Sequence, residues 1–286
     1  MYIPFVKKYF RQKGVSIFMA KEKKVVYYKD EANDDFAQLG IKRKPLGEDF
    51  EYIHKNIIWN TCSFVVYRMI AQPLVYVFVK VAHKQRFKNR KVLKEAKNTG
   101  AFIYANHTNM LLDAFVPNIV KMRRRGYILV GPDTTSIPGL KNIVEMMGAI
   151  PLGQTLSENK EMIGCINHRI EKNKGYVTIY PEAHIWPYYT GIRDFKANSF
   201  GYPCYSNTPV FTMTNCYQKK RFGKHPKVVT FLDGPFYPDE TLPMKERKEK
   251  LRKQCHDTME KRAKENSTYS YIIYEKEESE TNTLES

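Results

Sequence analysis

The chain predicts an α/β fold: a mixed, mostly parallel sheet flanked by helices, preceded by an N-terminal interfacial two-helix element. Three observations carry this. From about residue 98, short apolar runs alternate with helical patterns, as strands joined by helical crossovers do. Residues 57–82 hold a long apolar, aromatic stretch interrupted by Asn60, Arg68, Gln72 and Pro73. A chain of 286 residues, 42% of them hydrophobic, can bury one large core, and that length suits one domain with appendages better than two equal halves.

Taken in order, residues 1–55 form an irregular N-terminal arm. Residues 1–18 are basic and aromatic, and Met19 offers a second start; the acidic patch 30–36 and Lys42-Arg43-Lys44-Pro45 follow. No basic segment leads into a long apolar run and a small-residue cleavage site, so no signal peptide is expected. Residues 56–97 form a membrane-interfacial helical pair and a basic cluster. The apolar stretch is long enough to cross a bilayer at ~20 residues. A central arginine, however, costs roughly 2.5–3.5 kcal/mol on insertion scales, and Pro73 breaks or kinks a helix. Two helices joined near Gln72-Pro73 and lying in the interface fit better, with Trp59, Tyr67 and Tyr76 at the headgroup layer. A buried helical hairpin in a soluble core is the alternative.

Residues 98–270 form the α/β domain. Strands are expected at 101–105, 127–131, 149–152, 176–180, 210–214 and 228–232. A helix starting at Pro117 runs to Arg123-Arg124-Arg125-Gly126, because proline suits a first turn and arginine with glycine suits a last one. Another spans 157–173, opening on Ser157-Glu158 with Met162, Ile163, Ile166 and Ile170 as its apolar stripe. A highly charged helix over 244–265 carries Leu251, Cys255 and Met259 on one narrow seam. Residues 271–286 read as an acidic, disordered tail.

The formal net charge of +17 calls for an anionic counterpart. Lys84, Arg86, Lys88, Arg90, Lys91, Lys94 and Lys97 face only Glu95 between 84 and 97, and they follow the aromatic-rich apolar stretch. That order points to an anionic membrane surface. Nucleic acid is not expected as a partner, since no DNA- or RNA-binding motif accompanies the charge. Five scattered cysteines without a C-x-x-C pair support neither a disulfide framework nor a zinc site, and a reducing cytoplasm suits them. No metal is expected.

The chemistry concentrates after the first strand, in Asn106-His107-Thr108-Asn109-Met110-Leu111-Leu112-Asp113. His107 is a base for near-neutral pH, and Asp113 is a carboxylate close enough to orient it. Six positions apart on an ideal helix leaves the two about 120° out of phase. His107 therefore belongs in the strand-to-helix loop, where open α/β sheets place their chemistry, with Asp113 on the first turns beyond. A loop histidine beside an ordinary N-terminal aspartate is the plainer alternative.

Four segments then occur in a telling order: Asn106-His107 with Asp113; Ser136-Ile137-Pro138-Gly139-Leu140 leading to Met147-Gly148-Ala149-Ile150-Pro151-Leu152; Tyr180-Pro181-Glu182; and Thr208-Pro209-Val210. Together, over roughly residues 55–235, they resemble the PlsC-type glycerolipid acyltransferases, typified by 1-acylglycerol-3-phosphate acyltransferases. The resemblance implies His107 as catalytic base, Asp113 as its orienting carboxylate, and Asn106, Glu182 and Pro209 as substrate-site positions. It also implies an acyl thioester co-substrate, acyl-CoA or acyl carrier protein, a lysophospholipid hydroxyl as acceptor, and no further cofactor. The place of action would be the cytoplasmic face of the cell membrane, in peripheral or monotopic attachment.

The chain departs from the family pattern three times. Five residues rather than four separate His107 from Asp113, an insertion a loop can absorb. Gln154 follows Gly153 where an arginine closes the second motif. Pro181-Glu182-Ala183-His184-Ile185-Trp186 lacks Gly-Thr-Arg-Ser. Those arginines are associated with the acceptor's phosphate in the family, so Arg193 and Lys196 are the nearest candidates to replace them; ordinary surface charge is the alternative. The expected reaction is direct transfer, because Ser136 and Ser157 lack a nucleophile-elbow pattern and Cys165 lies on a helix stripe. His184 either touches substrate or fills the space of the missing Gly-Thr. A membrane-peripheral lipid-binding protein that kept this fold without activity is the competing reading.

Overall fold

The structure is a computed structural model and describes residues 24–36, 45–46, 50–109, 112–135, 141–221, 223 and 225–277. Residues 1–18, the opening of the second motif (Ser136 to Leu140) and the last nine residues lie outside these. Strand β1 (Lys24–Tyr28) precedes helix α1 (Ile57–Ala82) and the short strand β2 (Arg86–Lys88). Then follow β3 (Ala101–Ala105), α2 (Leu112–Phe115), α3 (Pro117–Val120), β4 (Gly126–Val130), α4 (Pro132–Thr135), α5 (Lys141–Met146) and β5 (Ala149–Pro151). The remainder is α6 (Leu156–Glu171), β6 (Tyr176–Ile179), α7 (Gly201–Ser206), β7 (Val210–Gln218), β8 (Lys227–Phe236), α8 (Met244–Asn266) and β9 (Ile272–Lys276).

Seven strands form one sheet in the order β2-β8-β7-β3-β6-β4-β5. All neighbours pair parallel except β7 with β8, so the sheet is mixed and mostly parallel. The central strand β3 is fully buried on both faces, which is why it reads as an unbroken apolar run. Phe102 and Tyr104 face the core beneath α6 and α8, where Met162, Ile166, Leu251 and Met259 pack. Ala101, Ile103 and Ala105 face the other core, with Val75 and Val79 of α1, Leu93 and Ile119.

Four expectations are corrected. The interfacial element is one continuous helical run over Ile57–Ala82 rather than a pair. A π-helical segment, Val65–Ala71, widens the helix just before Pro73, so the ring fits without the break an ideal α-helix would suffer. The helix expected from Pro117 to Gly126 ends at Val120, and Gly126 opens β4. A Cβ at Gly126 would sit 2.7 Å from the Pro117 carbonyl oxygen, so the glycine serves a close approach instead of a helix cap. Helix α6 is capped by Thr155 rather than Ser157, through a capping box with Glu158. The tail expected to be disordered from 271 contains β9, which pairs parallel with β1 inside the supposedly irregular arm.

Helix α1 turns a stripe inward and leaves the rest open. Ser63, Tyr67, Gln72, Val75 and Val79 are buried. The Tyr67 hydroxyl accepts from the Gly126 N–H at 2.8 Å, and the Gln72 side chain donates to the Asn118 carbonyl at 2.8 Å. Outward, Ile57, Ile58, Phe64, Met69, Leu74, Val77 and Val81 are all more than half exposed. By length and composition this helix is long and apolar enough to cross a membrane.

Candidate active site

The site is built where β3 ends. Asn106 ties the loop to the neighbouring strand: its side chain donates to the Asn215 carbonyl at 3.1 Å and accepts from the Asn215 N–H at 2.8 Å. The His107 N–H donates to the Glu182 carboxylate at 3.1 Å, and the His107 carbonyl accepts from the Trp186 N–H at 3.1 Å. The Thr108 carbonyl accepts from the Tyr188 N–H at 2.8 Å and from the buried Tyr217 hydroxyl at 3.1 Å. Asn109 then caps the turn into α2, its side chain accepting from the Leu112 N–H. From His107 to Asn109 these backbone pairings follow one after another and hold the histidine in place.

His107 Nδ1 lies 2.9 Å from Asp113 Oδ2. The five-residue spacing is thus absorbed in the loop, as its phase on a helix required. Asp113 is buried, and Asn109 N–H donates to the same Oδ2 at 2.8 Å while Asn215 Nδ2 donates to Oδ1 at 3.3 Å. Three donors thus converge on the carboxylate. The His107 ring stacks on Tyr180 at 4.3 Å, and the Tyr180 hydroxyl donates to the Asp113 carbonyl at 2.6 Å. Burial, and secondarily the Asp113 charge, hold the Tyr180 phenol well above its ordinary range, so it stays a neutral donor. With Nδ1 committed to Asp113, Nε2 is the nitrogen left for a reacting proton, and it has no hydrogen-bond partner among the described residues.

Behind Asp113 runs a further buried line. Gln85 Nε2 donates to Thr230 Oγ1 at 2.6 Å, and Thr230 Oγ1 to Asn215 Oδ1 at 2.7 Å, so that Asn215 turns its NH₂ toward Asp113. None of these three was legible as a site residue. Asn215 left one trace, an amide in the buried part of a strand whose second amide, Gln218, comes only at its end.

The remaining candidates take different places. Glu182 is buried and bound to Arg193, 3.4 Å away. Burial pushes its carboxyl upward, and the Arg193 charge with the His107 and Arg193 N–H groups works against that. Arg193 is itself buried, its guanidinium donating to the Glu182 carboxylate and to the carbonyls of His184 and Glu31, and stacking over Trp186 at 4.9 Å. The expected anion-binding role therefore fails for Arg193, whose charge is spent inside the protein. Lys196 is exposed. Pro209 is buried, and its carbonyl accepts from the Phe102 N–H at 3.0 Å, setting β7 against β3. Asn106, Glu182 and Pro209 thus shape the loop and sheet that carry the dyad.

The third-motif loop is braced from both chain ends. Trp186, fully buried, donates from its indole to the Asp34 carbonyl at 2.8 Å and stacks on Tyr274 at 4.8 Å. Tyr274 in β9 donates to the Pro187 carbonyl at 2.9 Å, and Tyr28 in β1 packs on Trp186 at 4.7 Å. Ala183 has φ 63°, the left-handed region that a glycine at that position would occupy without steric cost. His184 faces Asp35, with Nδ1 3.6 Å from its carboxylate. Among the described residues no cluster of metal-ligating side chains occurs. A cavity of about 390 Å³ opens at the opposite end of the sheet, where β4 begins, between Tyr67, Arg68 and Arg123 to Arg125.

An acyltransferase family model matches residues 78–215, a span that holds every residue of the dyad and of the loops around it except the bracing chain ends. Among solved structures the chain is similar to the 1-acyl-sn-glycerophosphate (LPA) acyltransferase PlsC from Thermotoga maritima, with 15% identity, 71% of this chain and 86% of that chain covered, and a TM-score of 0.49. No curated protein matches.

Proposed function

We propose that this chain, whose residues 78–215 form an acyltransferase-family domain, moves a fatty acyl group from an acyl thioester to the hydroxyl of a lysophospholipid such as 1-acylglycerol-3-phosphate. The single observation that carries the reading is the His107–Asp113 pair at 2.9 Å, held on a loop whose neighbours fix it. His107 Nε2 takes the proton of the acceptor hydroxyl as its oxygen attacks the thioester carbonyl; collapse of the tetrahedral intermediate expels the thiolate, which receives that proton. Asp113 holds the tautomer and stabilises the imidazolium. No side-chain nucleophile is called for. Cys165, buried on α6 with its thiol pushed up by burial, is suited to packing.

The donor in this reading is acyl-CoA or acyl carrier protein, with no further cofactor. The setting is peripheral attachment to the cytoplasmic face of the cell membrane, supported by the exposed apolar flank of α1 and by the exposed cations Lys84, Arg86, Lys88 and Lys91 just beyond it. Because Arg193 is sealed against Glu182, the acceptor's headgroup has to be recognised by other groups, and Lys196 is the remaining candidate from the third-motif region.

The test is an acceptor panel with labelled acyl-CoA and acyl carrier protein as donors. Esterified lysophospholipid from the wild-type protein supports the reading. Absence of transfer from either donor to any lysolipid, by protein that still binds vesicles, would favour the inactive lipid-binding alternative.

A further inference from the structure

The buried line behind Asp113 has a direction, and the direction carries chemistry. Gln85, Thr230 and Asn215 are each no more than 2% exposed. The Asp113 carboxylate only accepts, which sets the sense of the line from that end: Asn215 turns its NH₂ to Asp113. Thr230 Oγ1 accepts from Gln85 Nε2 at 2.6 Å, while Gln85 Oε1 is buried without a hydrogen-bond partner among the described residues. The threonine proton is then free to point onward, and it does so to Asn215 Oδ1 at 2.7 Å. With its oxygen so engaged, Asn215 must offer its NH₂ to Asp113 Oδ1. The Asn215 main chain is pinned separately by Asn106, so only the side-chain orientation is left for this line to decide. Were the amide reversed, a carbonyl oxygen would face the carboxylate and repel it. Gln85 follows directly on α1, its N–H donating to the Val79 carbonyl at 3.0 Å, so the line starts where the apolar helix ends.

We infer that Gln85, Thr230 and Asn215 act as positioning residues. They form a one-way donor line that fixes the Asp113 carboxylate, so that Asp113 in turn holds His107 with Nδ1 protonated and Nε2 open to the acceptor hydroxyl. The inference rests on the acyl-transfer reading for its consequence, but the line itself can be observed without substrate. Thr230 is the informative link because a methyl can replace its hydroxyl with little change of shape. Valine there removes the donor that orients Asn215, whereas serine keeps it.

The experiment compares Thr230→Val and Thr230→Ser in the full chain. One arm records the downfield imidazole Nδ1–H resonance of His107 in ¹⁵N-histidine-labelled protein without substrate, assigned by its loss in His107→Ala. The other measures kcat and KM for acyl transfer to a lysolipid. Thr230→Val is expected to shift or broaden the Nδ1–H resonance and to lower kcat roughly three- to tenfold, the worth of one neutral hydrogen bond, with KM within twofold. Thr230→Ser is expected to keep both near wild type. If Thr230→Val does not fold, Asn215→Ala, which retains the main-chain pairing to Asn106, is expected to give the same two changes. An unchanged resonance and kcat in a folded variant would overturn the inference. So would equal impairment by serine and valine alongside a lowered melting temperature. A shifted resonance in protein inactive toward every acceptor would support the line and count against acyl transfer.

Discussion

Both ends of the central sheet draw arginines inward, and they treat them differently. At the end carrying the dyad, Arg193 meets Glu182 at 3.4 Å and is closed over by Trp186. At the other end, Arg68, Arg123, Arg124, Arg125 and Lys174 gather around a cavity with no carboxylate among its lining residues. Arg125 stacks on Tyr67 at 4.7 Å and bonds Ser63, while Arg68 and Arg124 spend hydrogen bonds on the carbonyls of Met122, Arg123 and Lys174. Those contacts orient the guanidinium groups without neutralising them. Compensated charge at the dyad end serves geometry. Under the membrane attachment proposed above, the uncompensated charge at the other end, lined also by exposed Phe64, would meet an anionic lipid surface.

Under the proposed reaction, His107→Ala should cut acyl transfer by roughly 10²–10⁴ while the melting temperature stays within a few degrees, because the ring would take part in the chemistry and lies outside the core. Asp113→Asn should lose much of the same factor by misorienting the base; turnover and thermal melts of both variants measure the separation. Glu182→Gln should do the opposite: it strands Arg193 in the interior, and denaturant melts should show a loss of about 3–5 kcal/mol.

Smaller effects sharpen the contrast. Arg123→Gln with Lys174→Gln should weaken flotation with vesicles containing anionic phospholipid by about 1 kcal/mol per charge removed, and rising salt should produce a similar loss in wild type. Removing Lys88, Arg90 and Lys91 together tests the other cation group, although Arg90 also anchors the carbonyls of Ile119 and Val120 and its loss should cost stability as well. Binding indifferent to salt and to lipid charge would assign attachment to the apolar face of α1 alone. Tyr180→Phe keeps the ring on His107 and removes one hydrogen bond to the Asp113 carbonyl, so a loss of about 1 kcal/mol in stability is expected from melts.

The six strands expected from apolar runs are all present, and their pairing follows from the alternation with helices. The strands that were not legible have local reasons. Strand β2 is only Arg-Phe-Lys within a basic run, and β9 lies in an acidic stretch whose partner β1 is some 250 residues away, so neither carries a pattern of its own. Pro73 reads as a break because sequence periodicity assumes an α-helix, and the π-helical turn before it relaxes that assumption. At the site, His107 and Asp113 were legible from type and spacing. Arg193 was misplaced because nearness to Glu182 along the chain does not say whether a charge faces solvent or its neighbour. Asn215, Thr230 and Gln85 come from three separate segments that only the sheet brings together.

Direct transfer by His107 passes through no acyl-protein intermediate. The most direct measurement incubates wild-type protein with radiolabelled acyl-CoA alone, quenches it, and follows protein-bound label, then adds lysophospholipid and follows the labelled ester. Direct transfer predicts no covalent label on the protein, ester formation only once acceptor is added, and loss of that ester in His107→Ala. Stoichiometric acyl-protein that forms without acceptor and discharges to it afterwards would contradict it.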